Sequence, residues 1–122
     1  MVLKDFYSVI ESGESGGVHS TTLRINPAHE IYQGHFPGRP VTPGVILMQL
    51  FKEEAERLSA KDLRLEKASN VKFTAVVDPN EDALLVLRSS INEDNGVVTL
   101  RGTAENNNTV AIKFQAVYQI KN

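Results

Sequence analysis

The stretch that decides the fold is Thr42-Pro43-Gly44-Val45-Ile46-Leu47-Met48-Gln49-Leu50-Phe51, which runs on into Lys52-Glu53-Glu54-Ala55-Glu56-Arg57-Leu58. Thr42 suits an N-cap, and Pro43 suits the first helical position, where a missing N–H costs nothing. From Val45 to Phe51 the run is apolar nearly all round, with Gln49 the one interruption, so the first two turns are expected to be buried. Farther on, only Ala55 and Leu58 are apolar among the charges, and the last two turns are expected to be exposed on one side. The pattern predicts one long helix that enters a core at its N-terminal end.

The chain beyond the helix alternates with period two. Val98, Leu100, Gly102 and Ala104 alternate with Thr99, Arg101, Thr103 and Glu105, and Val110, Ile112, Phe114, Ala116 and Tyr118 with mostly polar neighbours. Turn clusters at 78–82, at Asn95-Gly96 and at 106–108 suit short connections, which predicts an antiparallel meander with strands near 68–77, 82–91, 96–105 and 109–120. Two weaker strands, near 5–12 and 17–25, precede the helix, separated by a turn region from Ser12 to Gly17. About six antiparallel strands wrapped around one central helix make an α+β domain, taken as a single unit over 1–122.

Composition bounds the function. With 122 residues, two-thirds of the extended chain's surface can be buried, about 6,500 Å² remaining of about 19,600 Å². A net charge of −2 argues against a nucleic-acid partner or an anionic membrane surface, and the lack of cysteine excludes disulfides, thiolate nucleophiles and Cys-ligated metals. No run approaches a bilayer span and the N-terminal stretch lacks a signal-peptide core, so a cytoplasmic protein without membrane partner, cofactor or metal is expected.

Between the second strand and the helix lie residues 26–44, a loop without secondary-structure periodicity. Three of the five prolines and three of the eight glycines fall between Gly34 and Gly44, a density that fixes a backbone path. A rigid loop ending at a helix N-terminus places free N–H groups where they can polarise a carbonyl or hold an oxyanion. His35 sits in this loop and can serve as a base toward a carbon beside that carbonyl. His19 and His29 are expected to play surface or tethering roles, and neither has a second His at helical spacing for a metal.

The run Gly34-His35-Phe36-Pro37-Gly38-Arg39-Pro40-Val41-Thr42-Pro43-Gly44-Val45 resembles the signature of the β-hydroxyacyl-acyl carrier protein dehydratases, hotdog-fold enzymes of fatty-acid synthesis. Asn70-Val71-Lys72-Phe73 with Val76-Val77 resembles the family's strand after the helix, and the likeness covers about 26–86. It implies a hotdog fold, a homodimer or higher homo-oligomer, and a site at the dimer interface where the loop His of one subunit faces a helix carboxylate of the other. The implied substrate is a 3-hydroxyacyl chain on acyl carrier protein. His35 would be the base, Gly44 would hold the thioester carbonyl by its N–H, and Phe36, Pro43 and Val45 would contact substrate. Carrier proteins are acidic, so docking needs a local basic patch; Arg39, Lys67 and Lys72, the last two flanking the start of the following strand, are its candidates.

One position departs from the family. Fourteen residues after His35 the family has a carboxylic acid and this chain has Gln49; four residues later the family commonly has Gln and this chain has Glu53. An amide hydrogen-bonds a hydroxyl but gives it no proton. Glu53 reads either as another solvated charge or as the displaced acid, reaching the leaving hydroxyl through one water; the second is preferred here, and in its absence His35 acts alone. Two other functions remain open: an acyl-binding or partner subunit of a heteromeric dehydratase, and a hotdog thioesterase.

Overall fold

The computed structural model describes residues 3–33 and 41–121. Six strands form one antiparallel sheet: β1 (Tyr7–Ser15), β2 (Val18–Ile25), β3 (Leu63–Phe73), β4 (Leu84–Asp94), β5 (Val97–Asn106) and β6 (Thr109–Ile120), in the order β1-β2-β4-β5-β6-β3. The long helix, α1 (Gly44–Ser59), lies on its inner face. Both edge strands, β1 and β3, leave one side of their backbone unpaired among the described residues.

Three hairpins each turn on two residues with positive φ, at Gly16-Gly17, Asn95-Gly96 and Asn107-Asn108. Their backbone twist matches that of the strands they join, which is why glycine and asparagine stand there. β1 therefore runs on to Ser15, past the turn region expected from Ser12. β3 also starts earlier than expected, at Leu63 and not near 68, because Arg64, Leu65, Glu66 and Lys67 show no clean alternation on an edge strand that is mostly exposed.

Ile46, Leu47, Leu50, Phe51 and Ala55 of α1 meet Leu23, Leu85, Leu87, Leu100, Ile112, Phe114 and Tyr118 from the sheet. Phe51 stacks on Phe114 with ring centroids 5.3 Å apart. Gly102 makes room for that pair, since a Cβ there would stand 2.8 Å from a Phe51 ring carbon.

The charged half of α1 is less exposed than its composition suggests. Glu54 is only 4% exposed. It accepts from Thr21 Oγ1 and from Arg57, whose Nε lies 2.9 Å away and whose other nitrogen also reaches Ser12 and Thr21. A buried carboxylate is tolerated when it is paired and hydrogen-bonded, and this one fastens α1 to β1 and β2.

Candidate active site

The loop from 26 to the helix is not wholly irregular. Glu30–Tyr32 form a 3₁₀ turn capped by His29, whose Nδ1 accepts from the Ile31 N–H at 3.0 Å while Nε2 lies 2.9 Å from the Lys4 carbonyl. His29 is thus a tether, and His19 pairs at the surface with Glu14. His35, Phe36 and Arg39 lie outside the described residues.

At the far end of the loop, Pro43 and not Thr42 holds the N-cap position, and no side chain among the described residues caps the helix. Thr42 is engaged elsewhere: its N–H donates to the Val77 carbonyl at 2.9 Å, and its hydroxyl meets the Tyr32 hydroxyl at 2.8 Å. Burial pushes the Tyr32 phenol up to about 12, against a lowering by the Thr42 hydrogen bond. The loop exit is pinned on both sides, while the N–H groups of Gly44 and Val45 find no acceptor among the described residues. These donors and the positive end of the helix dipole point out of α1 at its first turn. A Cβ on Gly44 would lie 2.7 Å from the ring of Phe73, so a side chain there would have to displace that half-exposed ring.

Val45, expected to be buried, is 71% exposed. It borders a cleft of about 240 Å³ between α1 and strands β3 and β6, lined by Val45, Met48, Gln49, Lys52, Leu65, Phe114 and Tyr118. Tyr118 is 1% exposed, and its hydroxyl has no hydrogen-bond partner among the described residues; burial, with Glu56 nearby, raises its pKa well above the usual phenol range. The cleft is thus mostly apolar, with Gln49, Lys52 and one buried phenol as its polar groups, the composition that suits an acyl chain ending in a polar reacting centre.

Glu53 is not a solvated charge. Its carboxylate accepts from the Leu3 N–H at 2.9 Å, the Tyr7 hydroxyl at 2.9 Å and the Gln49 Nε2 at 3.1 Å. All three partners are donors, so Glu53 serves as an acceptor. Burial first, and the bond to Glu53 second, raise the Tyr7 pKa well above the ordinary phenol value. Gln49 and Glu53 are therefore brought together, one turn apart on one helix face. Sequence reasoning misses Tyr7: it lies 46 residues from Glu53, and only the pairing of β1 with the sheet brings it there.

Lys67 and Lys72 lie within β3, not at the flanks of its start. Lys72 stands directly opposite Lys113, and Lys113 and Arg101 share the outer sheet face with it along a groove of about 560 Å³. None of Lys67, Lys72 and Lys113 has an ion pair with a described acid.

A six-stranded antiparallel sheet carrying one helix, with a proline-rich loop delivered to that helix's uncapped end, defines the hotdog class. Within it, residues 11–113 match the ApeI-like family, described as ApeI dehydratase, and the chain belongs to that family. It is 30% identical over 117 residues to the 3-hydroxyacyl-[acyl-carrier-protein] dehydratase FabZ of Thermotoga neapolitana, covering 93% of this chain and 83% of that one. The Clostridium acetobutylicum FabZ is 26% identical over 129 residues, covering 98% and 87%. Among solved structures, the dehydratase heterocomplex ApeI:P from Xenorhabdus doucetiae superposes with a TM-score of 0.73 at 21% identity, covering 93% of this chain and 97% of that one. A hypothetical thioesterase with coenzyme A from Streptococcus pneumoniae gives 0.70 at 10% identity, covering 98% and 91%. At those identities the superpositions establish the fold.

Proposed function

We propose that this chain is a cytoplasmic dehydratase of 3-hydroxyacyl thioesters carried on acyl carrier protein, acting in fatty-acid or related acyl-chain synthesis. His35 removes the proton from C2 while the charge developing on the thioester oxygen is held by the N–H of Gly44, with Phe36, Pro43 and Val45 lining the approach. The C3–O bond breaks, the imidazolium returns its proton to the departing hydroxyl, and the products are a trans-2-enoyl thioester and water. The observation that carries the reading is the start of α1, where N–H donors without an acceptor among the described residues meet the end of the loop that holds His35.

The site is completed by a second copy of the chain in this proposal. Exposed Val45, Leu65 and Phe73, at 71%, 43% and 52%, lie beside the open edge of β3, and pairing that edge with another β3 would cover them. Gln49 of one subunit would then face His35 of the other. Lys72, Lys113 and Arg101 support docking of an acidic carrier protein, because like charges placed directly opposite each other destabilise a sheet and gain from an anionic partner.

Gln49 favours a second reading, in which the chain is one subunit of a heteromeric dehydratase whose other subunit brings the acid. Incubating the purified protein alone with 3-hydroxyacyl thioesters of carrier protein and of coenzyme A separates the readings. The proposal expects enoyl thioester; no turnover until a second chain is added would favour the partner subunit, and release of free thiol would favour a thioesterase. Lys72→Glu is expected to weaken turnover of carrier-linked substrate more than that of coenzyme A substrate, and equal losses would refute the docking face.

A further inference from the structure

An oxygen able to cap the start of α1 stands beside it and is engaged elsewhere. A threonine hydroxyl readily folds back to accept from the backbone N–H two residues on, and from Thr42 that donor is Gly44, the one proposed for the thioester oxygen. No side chain among the described residues caps α1. The Thr42 Oγ1 lies instead 2.8 Å from the Tyr32 hydroxyl, with Thr42 5% and Tyr32 8% exposed. The Thr42 N–H is fixed separately on the Val77 carbonyl at 2.9 Å, so the backbone keeps its place when the side chain turns. Tyr32 is itself held. It ends the 3₁₀ turn, its N–H donates to the His29 carbonyl at 3.1 Å, and its ring stacks on Phe6 with centroids 5.9 Å apart.

We infer that Tyr32 is a positioning residue that holds the Thr42 hydroxyl away from the Gly44 N–H and so keeps that donor open to the oxygen of a substrate. The inference rests on the dehydratase reading and adds to it a residue that acts only through Thr42. A donor already serving an internal acceptor must break that bond before it can serve a developing oxyanion, and the loss falls on the transition state, where the charge develops. The phenol competes well for the Thr42 oxygen. Both hydroxyls belong to buried residues and neither has another partner among the described residues, so parting them would leave a polar atom unsatisfied. Without the phenol, the same penalty drives the Thr42 hydroxyl to the free N–H two residues on. A residue that merely supports the fold would not give the consequence: once Tyr32 has lost its hydroxyl, deleting the Thr42 hydroxyl as well should help the reaction.

The test compares the full chain with Tyr32→Phe, Thr42→Val and the two substitutions combined; valine keeps the branched shape of threonine without its hydroxyl. With a 3-hydroxyhexanoyl thioester of acyl carrier protein, Tyr32→Phe is expected to lower kcat by at least about tenfold with KM within about threefold, short of the roughly 10²- to 10³-fold cost of losing an oxyanion donor outright. Adding Thr42→Val to Tyr32→Phe should bring kcat back to within about threefold of the parent. In parallel, the temperature coefficient of the Gly44 amide proton, read in ¹⁵N-labelled protein, reports whether that N–H is bonded within the chain. Its magnitude should fall in Tyr32→Phe and return to the parent value in the combined variant. A combined variant as slow as Tyr32→Phe would overturn the inference, and so would a Gly44 amide that does not respond to Tyr32→Phe. Should Tyr32→Phe fail to fold, Thr42→Val decides alone: kcat within about threefold of the parent supports the inference, and a tenfold loss would mean that the hydroxyl pair itself serves the reaction and would overturn it. Should the parent process no hydroxyacyl thioester, the dehydratase reading fails, while the Gly44 amide still shows whether Tyr32 keeps that donor open.

Discussion

Each end of α1 carries one residue that departs from what its composition suggests. The apolar end carries Val45 at 71% exposure beside a cleft, whereas the charged end buries Glu54 to 4%. The difference lies in what each end meets within one chain. Glu54 finds Arg57, Thr21 and Ser12 close by, so its charge is paired and can be covered. Val45 is left uncovered by the described residues, and an apolar side chain open beside an unpaired sheet edge marks a surface meant for something else. One end closes the fold and the other leaves an apolar surface open beside a cleft.

The sharpest way to break that contrast is at the open end. His35→Ala is expected to lower dehydration by about 10² to 10⁴-fold while leaving the thermal midpoint nearly unchanged, since a general base contributes to rate and a loop hydrogen bond only about 1 kcal/mol to stability. A folded variant with near-parent turnover would remove His35 from the mechanism. Next in size, Val45→Asp places a charge on the face proposed to meet a second copy and should raise the dimer dissociation constant at least about tenfold in sedimentation, with little change in chain stability. An unaltered association would move the interface elsewhere.

At the closed end the effect should fall on stability. Glu54→Ala removes the carboxylate shared by Thr21 and Arg57, which keep only each other and Ser12, and is expected to cost about 1–3 kcal/mol in urea denaturation, moderated because Arg57 is 40% exposed in its side chain. Activity per folded molecule should persist. The smallest effect on stability at neutral pH comes from the tyrosines that tie both ends. Tyr32 is held near 12 against an ordinary 10.0, so the folded chain keeps a proton that the unfolded chain loses. That stability is whole below pH 10 and is lost as pH rises toward 12, and Tyr32→Phe should flatten the fall in a pH series of urea midpoints.

Much of this architecture is legible in the sequence because local chemistry determines it. The Asn95-Gly96 turn, the alternation in β5 and β6 and the apolar start of α1 each depend on neighbours in the chain. The start of β3 is not legible, since an exposed edge strand lacks a buried face to impose alternation. Thr42 reads as a cap because its partners Val77 and Tyr32 lie outside any local window. Glu53 presents the same difficulty: its role depends on Leu3 and Tyr7, and nothing in the spacing of 49 and 53 announces them. The family signature locates the loop and Gly44, but not the hydrogen bonds that hold Thr42.

The central claim is that one loop histidine handles both protons of the elimination, and the reverse reaction tests it directly. The parent protein is incubated with a trans-2-enoyl thioester in D₂O, and the product is read by NMR and mass spectrometry. The expected product is a 3-hydroxyacyl thioester with one deuterium at C2, placed on the same face as the new hydroxyl, because a single group delivers from one side. Deuterium and hydroxyl on opposite faces would contradict the single-histidine mechanism, and unchanged enoyl thioester or its hydrolysis to free thiol would contradict the dehydratase itself.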